Sequence, residues 1–214
     1  MTPTARIRRR EAGAAGTWPA HVPMLLQRVY EARGAGSMEQ AQPRLAQLLP
    51  PDLLGGVDEA TTLLADAIAA NRHIVIVGDF DCDGATACAV GVRGLCLLGA
   101  RRVTPAVPNR IVHGYGLSPS LVEELDALAP ELLVTVDHGI ACHAGIAAAK
   151  ARGWQVLVTD HHLPGDVLPH ADAIVNPNLS GDPFPSKMLA GVGVMFYVLL
   201  ALRRVLRERG AFDG

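Results

Sequence analysis

The sequence predicts an α/β protein: a doubly wound, mostly parallel sheet flanked by helices, with a helical N-terminal lead-in. Three observations predict it. From residue 73 onward, short and almost wholly apolar runs recur; Ala/Gly/Leu-rich stretches of helical length separate them; and a charged or amide side chain follows each run. Strands covered on both faces read as continuous apolar runs, whereas strands with one wet face alternate, so this pattern favours a parallel sheet between two helical layers.

The chain has 214 residues, half of them hydrophobic, enough for one large core or one domain plus a lead-in. No apolar run reaches the roughly 18–20 residues of a membrane span. The Arg-rich start, Met1 to Arg10, is not followed by the apolar stretch and small-residue cleavage site of a secretory signal, and a cytoplasmic protein is expected. Cys82, Cys88, Cys96 and Cys142 form no C-x-x-C pair, and most lie among apolar or small residues, so they are expected to be buried thiols. A net charge of −2 argues against a wholly basic nucleic-acid coat while leaving room for a local basic groove.

Taken in order, residues 1–57 form the lead-in. Arg6, Arg8, Arg9 and Arg10 read as a loosely docked start in preference to a nucleic-acid arm. Leu25, Leu26, Val29 and Tyr30 fall at helical spacing, and Gly34-Ala35-Gly36 ends that helix. After Pro50-Pro51, Asp58-Glu59 open a helix whose buried face is Leu63, Leu64, Ala67 and Ile68. Residues 58–214 then carry strands at Ile74–Val77, Val103–Val107, Leu132–Val136, Val156–Thr159 and Ala173–Val175, with helices near 85–98, 118–128, 142–152 and 189–208. Pro177 to Lys187, with Pro183 and Pro185, reads as a long surface loop.

The first of these strands delivers Asp79, Asp81 and Asp83 within the run Gly78 to Gly84. Carboxylates this close cannot all stay ionised without a cation. The spacing also spells the opening of an EF-hand loop, but the twelfth residue, where a bidentate Glu belongs, is Val90, and the lead-in is β-branched instead of helical. A solvated acidic turn is the plainer alternative. The other strand exits decide against it: Asn109-Arg110, Asp137-His138, Asp160-His161-His162 and Asn176. Ligands of open parallel sheets bind beyond the carboxyl ends of the strands, and a carboxylate-rich set with imidazole suits Mn²⁺ or Mg²⁺ better than a thiophilic ion. Two such ions clamp the oxygens of a phosphoryl centre, which points to phosphoester hydrolysis. Gly114-Tyr115-Gly116 is a turn whose amides can approach a phosphate. No Gly-x-Gly-x-x-Gly follows the first strand, which disfavours a dinucleotide site.

Five ordered segments, Gly78–Gly84, Val107–Leu117, Val134–Ile140, Val158–Gly165 and Leu189–Val194, resemble the motifs of the DHH phosphoesterase superfamily. Within it, Pro164-Gly165, Asn176-Pro177-Asn178 and Phe184–Lys187 favour the single-strand-specific 5′-to-3′ exonucleases over smaller members such as the manganese pyrophosphatases and the oligonucleotide or dinucleotide phosphodiesterases. That resemblance implies release of 5′-mononucleotides from single-stranded DNA by two-metal hydrolysis with Mn²⁺ or Mg²⁺, in DNA repair and recombination. A single-strand-binding protein and a helicase are implied as partners. A DHH phosphodiesterase acting on short oligonucleotides or dinucleotides, and a non-catalytic DNA-binding scaffold, are the alternatives.

Carried over by motif, Asp81, Asp83, Asp137 and His161 are implied as metal ligands, with Asp137 bridging. Asp79 is implied as a ligand or an acid just behind them, His162 as facing the scissile phosphate, and Asp160 as orienting the histidines. Arg110, Gly114, Tyr115, Gly116 and His138 are assigned to the substrate. His138 stands where the family commonly has Asn or Cys, and His113 where it often has an acid. The resemblance also implies that a further metal-ligand Asp, the rest of the DHH domain and a DHHA1-type DNA-gripping domain lie outside this sequence.

Overall fold

The computed structural model describes residues 13–42 and 44–212. The expectations for Arg6 to Arg10 lie outside them. The chain divides into two compact units, residues 1–49 and 50–214, so the second begins ahead of the expected residue 58.

In the first unit, helix α1 (Met24–Glu31) is followed by α2 (Met38–Ala41). Trp18 stacks on Tyr30 with ring centroids 5.4 Å apart. The Glu31 carboxylate accepts from the Gly16 amide at 2.8 Å and from Trp18 Nε1 at 2.9 Å. Those two bonds to a charged acceptor fix the segment before α1 onto its last turn.

The second unit opens with a 3₁₀ turn at Pro51–Leu53 and helix α3 (Val57–Ala69). The early start has a packing cause: Leu54 is 1% exposed, and the Gly55 amide donates to the Asp182 carboxylate. On α3, Leu64 and Ala67 are buried as expected, while Leu63 and Ile68 are only partly covered. Then come β1 (Ile74–Gly78), α4 (Cys82–Leu97), β2 (Val103–Ala106), α5 (Pro119–Leu125), β3 (Leu132–Val136), α6 (His143–Ala151), β4 (Gln155–Thr159), β5 (Ala173–Val175) and α7 (Gly191–Glu208). Helix α4 starts earlier than its apolar pattern suggests, because Asp81 caps it: the side chain accepts from the Gly84 amide at 2.9 Å.

All strands are parallel, in the order β2-β1-β3-β4-β5. On one face Val75, Val77, Leu133, Val156 and Val158 pack against Leu121, Val122 and Leu125 of α5 and Ile146 and Ala149 of α6. Helices α3, α4 and α7 pack together and cover the other face, where Gly91 of α4 lets Ile76 and Met195 come close. The loop after β5 is anchored through Phe184, wholly buried edge-on to Tyr197, so it is less of a surface loop than its prolines suggest.

This strand order reverses direction between β1 and β3, and such a switch point opens a crevice at the carboxyl ends of the two strands. The register sharpens it. Gly78 pairs with Val136, Val136 with Thr159, and Thr159 with Val175. The next residue of each strand therefore falls in one row: Asp79, Asp137, Asp160 and Asn176. No helix among the described residues is long and apolar enough to cross a membrane. The four cysteines are free, but only Cys88 is buried; Cys142 is half-buried, and Cys82 and Cys96 lie on exposed positions of α4.

Candidate metal centre

All four members of that row are buried: Asp79 is 3% exposed, Asp137 2%, Asp160 1% and Asn176 0%. Buried carboxylates need partners, and the partners differ from one to the next. Asp160 is fully satisfied. Its Oδ1 accepts from the amides of His161 (2.7 Å) and His162 (3.0 Å) and sits 2.7 Å from His162 Nδ1, while Oδ2 accepts from the Ile140 amide at 2.9 Å. Asp79 Oδ1 accepts from the Phe80 amide at 2.7 Å.

Asp137 is different. It sits at φ 65°, a left-handed conformation that non-glycine residues rarely adopt and that clusters at functional sites. Its amide is bonded to the Thr159 carbonyl, so the carboxylate cannot swing away with the backbone. His161 Nε2 lies 3.0 Å from Asp137 Oδ1, yet that oxygen, shut off from solvent, makes no hydrogen bond. Burial first, then the nearby charges of Asp83 and Asp81, push this carboxyl up to about 7.

Among the described residues, two groups present ligand atoms within 4.8 Å of one another: Asp137, His161 and His162; and Asp79, Asp81 and Asp137. They share Asp137. A buried carboxylate common to two clusters, with an orphaned oxygen facing an imidazole nitrogen, fits divalent cations held on oxygen and nitrogen donors.

Asp83 is placed otherwise. Its Oδ2 accepts from the Gly191 amide at 2.7 Å and its Oδ1 from the Val192 amide at 2.8 Å, with His161 Nε2 at 3.7 Å from Oδ2. In this arrangement both Asp83 oxygens are engaged with α7, and Asp83 belongs to neither ligand group.

Around the cluster, the Tyr115 ring stands edge-on to Phe80 (6.1 Å) and to His162 (6.4 Å), and the Arg110 guanidinium lies 4.8 Å over the Phe80 ring. Burial, then the charges of Asp79, Asp160 and Asp137, raises the Tyr115 phenol, which stays protonated. For His162, burial disfavours the charged ring, but the bond to Asp160 and the surrounding carboxylates outweigh it, so its pKa rises. Gly114 and Gly116 both have positive φ, as the turn between Arg110 and α5 requires.

His138, expected at the substrate, points into the core instead. It is 1% exposed, with Nε2 3.0 Å from the Val77 carbonyl and Nδ1 3.9 Å from Cys142 Sγ. Burial lowers its pKa, keeping the ring neutral. The physical reason is the partners that meet the ring there, the Val77 carbonyl and the Cys142 thiol. His113, in the place of an expected acid, pairs with Glu124 at 3.0 Å.

Two further positions, which carry no role in the sequence pattern, hold the histidine pair in place. Asn176 Nδ2 bonds the His162 carbonyl at 2.9 Å, and Asn178 Nδ2 bonds that of His161, so the loop after β5 clamps the backbone of the histidine pair. Asn176 stands at a strand exit, which was the available signal; Asn178 stood out only as part of a motif.

The DHH family, N-terminal domain, matches residues 73–211. The chain belongs to the DHH family. It is 49% identical over 213 residues to the single-stranded-DNA-specific exonuclease RecJ of Salmonella typhimurium, covering 100% of this chain and 37% of that protein. A crystal structure of exonuclease RecJ bound to manganese superposes with a TM-score of 0.65 at 41% identity, over 72% of this chain and 38% of that one. RecJ from Thermus thermophilus, in complex with Mn²⁺, gives 0.66 at 38% identity, over 83% of this chain and 24% of that one. This DHH chain thus spans well under half the length of the relatives it matches.

Proposed function

We propose that this chain carries the catalytic centre of a single-stranded-DNA-specific 5′-to-3′ exonuclease, a hydrolase that releases 5′-mononucleotides in DNA repair and recombination. One observation carries the proposal: two ligand groups share the buried Asp137, whose Oδ1 lacks a hydrogen bond, at the switch point of the sheet. The exonucleases it resembles act on single-stranded DNA by name, and two of the similar structures hold manganese.

In this reading Asp79, Asp81, Asp137 and His161 hold Mn²⁺ or Mg²⁺, joined by Asp83, which stands on the first turn of α4 and accepts from the first amides of α7. Two divalent cations at such a centre supply Lewis-acid stabilisation of charge on a phosphodiester and activation of water. The chain's own groups do the rest. Asp160 accepts the Nδ1–H of His162 and favours its charged ring, so that Nε2–H is free to donate to the phosphate. Asn176 and Asn178 hold the histidine backbone still. Arg110, steadied on Phe80, and the amides of Gly114 and Gly116 receive phosphate oxygens. Tyr115 offers a ring face, 55% exposed, to the terminal nucleotide. In this reading the protein works in the cytoplasm, with a single-strand-binding protein and a helicase as its partners.

Digestion of 5′-labelled single-stranded DNA by the full-length protein tests this. Mononucleotide release is expected with Mn²⁺, and none with EDTA or with Asp81→Ala. Activity in EDTA or in Asp81→Ala equal to that of the Mn²⁺-loaded wild type sinks the metal assignment; cleavage confined to dinucleotides points to the phosphodiesterase alternative.

A further inference from the structure

Helix α7 begins without a cap of its own. Its N-cap residue is Ala190, which offers no side-chain acceptor, and the first two amides of this 18-residue helix are instead bonded by Asp83, from the first turn of α4, at 2.7 and 2.8 Å. Helix starts ordinarily take Ser, Thr, Asp or Asn from the adjoining residue. Here a carboxylate more than one hundred residues earlier in the chain does so, against the positive end of the helix.

The same turn also meets Asp137. A Cβ built on Gly191 would lie 2.3 Å from Asp137 Oδ1, 2.6 Å from its Cβ and 2.7 Å from its Cγ. No such contact is tolerable, and Asp137 has nowhere to retreat: its backbone is locked at positive φ and bonded to Thr159. Its Oδ1 is buried, without a hydrogen bond, and faces His161. One helical turn therefore touches acids from two different strand exits. It grips one by both oxygens and leaves the space of a missing methyl group for the other.

We infer that the Gly191-Val192 turn of α7 is a positioning element of the metal centre, setting the orientation of Asp83 and the room available to Asp137. The inference rests on the metal-centre reading above. Gly193 provides an internal control from the same segment, since the atoms nearest a Cβ there belong to the flexible side chain of Leu189 and to neither acid.

Mn²⁺ titration of the full-length protein, followed by calorimetry and by the EPR signal of free Mn²⁺, separates the two. Gly191→Ala is expected to weaken binding about 10–100-fold, the range for residues that orient ligands, with an unchanged far-UV CD spectrum. Gly193→Ala is expected to bind as wild type does. A folded Gly191→Ala protein with wild-type affinity overturns the inference. A wild-type protein that binds no Mn²⁺ overturns the metal-centre reading and this inference with it. Hydrogen exchange of wild-type residues 189–194, read by mass spectrometry, is independent of any variant's folding. It is expected to slow on Mn²⁺ loading, and exchange unmoved by bound metal also overturns the inference.

Discussion

The two ends of the sheet both carry charged residues and treat them in opposite ways. At the amino ends, acids are matched with bases. Arg102 meets Glu131 at 3.2 Å, Lys150 meets Asp172 at 2.6 Å and Arg152 meets Asp126 at 3.4 Å. At the carboxyl ends, Asp79, Asp81, Asp83, Asp137 and Asp160 gather around two histidines, and the nearby Arg110 lies on an aromatic ring. Paired charges at the rim of a sheet are architecture and contribute little individually. Acids crowded without cations raise the energy of the metal-free fold, and a protein keeps such a cluster where a ligand relieves it.

Substitution at the carboxyl end breaks this contrast most sharply. Asp137→Asn is expected to abolish tight Mn²⁺ binding and to lower nuclease activity by about 10³-fold or more, since the cations supply several kcal/mol. The metal-free protein should nonetheless melt at a higher temperature than wild type, because a buried like charge is gone. Calorimetric Mn²⁺ titration and thermal melts in EDTA measure both.

A pH series sharpens the same point. The Asp137 carboxyl rises from its ordinary 3.8 to about 7 in the fold, so the folded state holds a proton that the unfolded chain has lost. Its contribution to stability is complete below about pH 4 and is lost as pH rises through 7, roughly 2–4 kcal/mol in all. His162, also raised, acts in the same direction, its share being lost as pH climbs past its folded value. In EDTA, the melting temperature of wild type relative to Asp137→Asn should therefore fall between pH 5 and pH 8, and Mn²⁺ should cancel the fall.

Asp160→Asn comes next. It removes the charge that holds His162 Nδ1 and is expected to cost about 10–100-fold in activity, with Mn²⁺ affinity changed less than by Asp137→Asn. Arg102→Ala, at the opposite end, is expected to change stability by about 1 kcal/mol or less and to leave Mn²⁺ titrations untouched. A metal effect there would erase the distinction between the two ends.

Part of this was legible in the residues. Ile74 to Val77 and Leu132 to Val136 read as buried parallel strands because their apolar runs do not alternate. The carboxylates at the exits followed from chemistry alone. The cysteines show where local reading stops: composition around Cys96 suggested burial, but its exposure depends on which side of α4 faces α7, and that is a tertiary matter. His138 likewise follows Asp137 in sequence yet is buried against the carbonyl of Val77, a partner on another strand that no local pattern announces.

By itself, then, the sequence determined the parallel architecture, the residues at the strand ends and the class of ion they suit, since periodicity and ligand chemistry are local properties. Only the tertiary structure decided the strand order that opens the crevice between β1 and β3, the register that aligns Asp79, Asp137, Asp160 and Asn176, and the seating of Asp83 on the start of α7. Each of those joins residues far apart in the chain, and their free energy exists only once the sheet and both helical layers have closed around them.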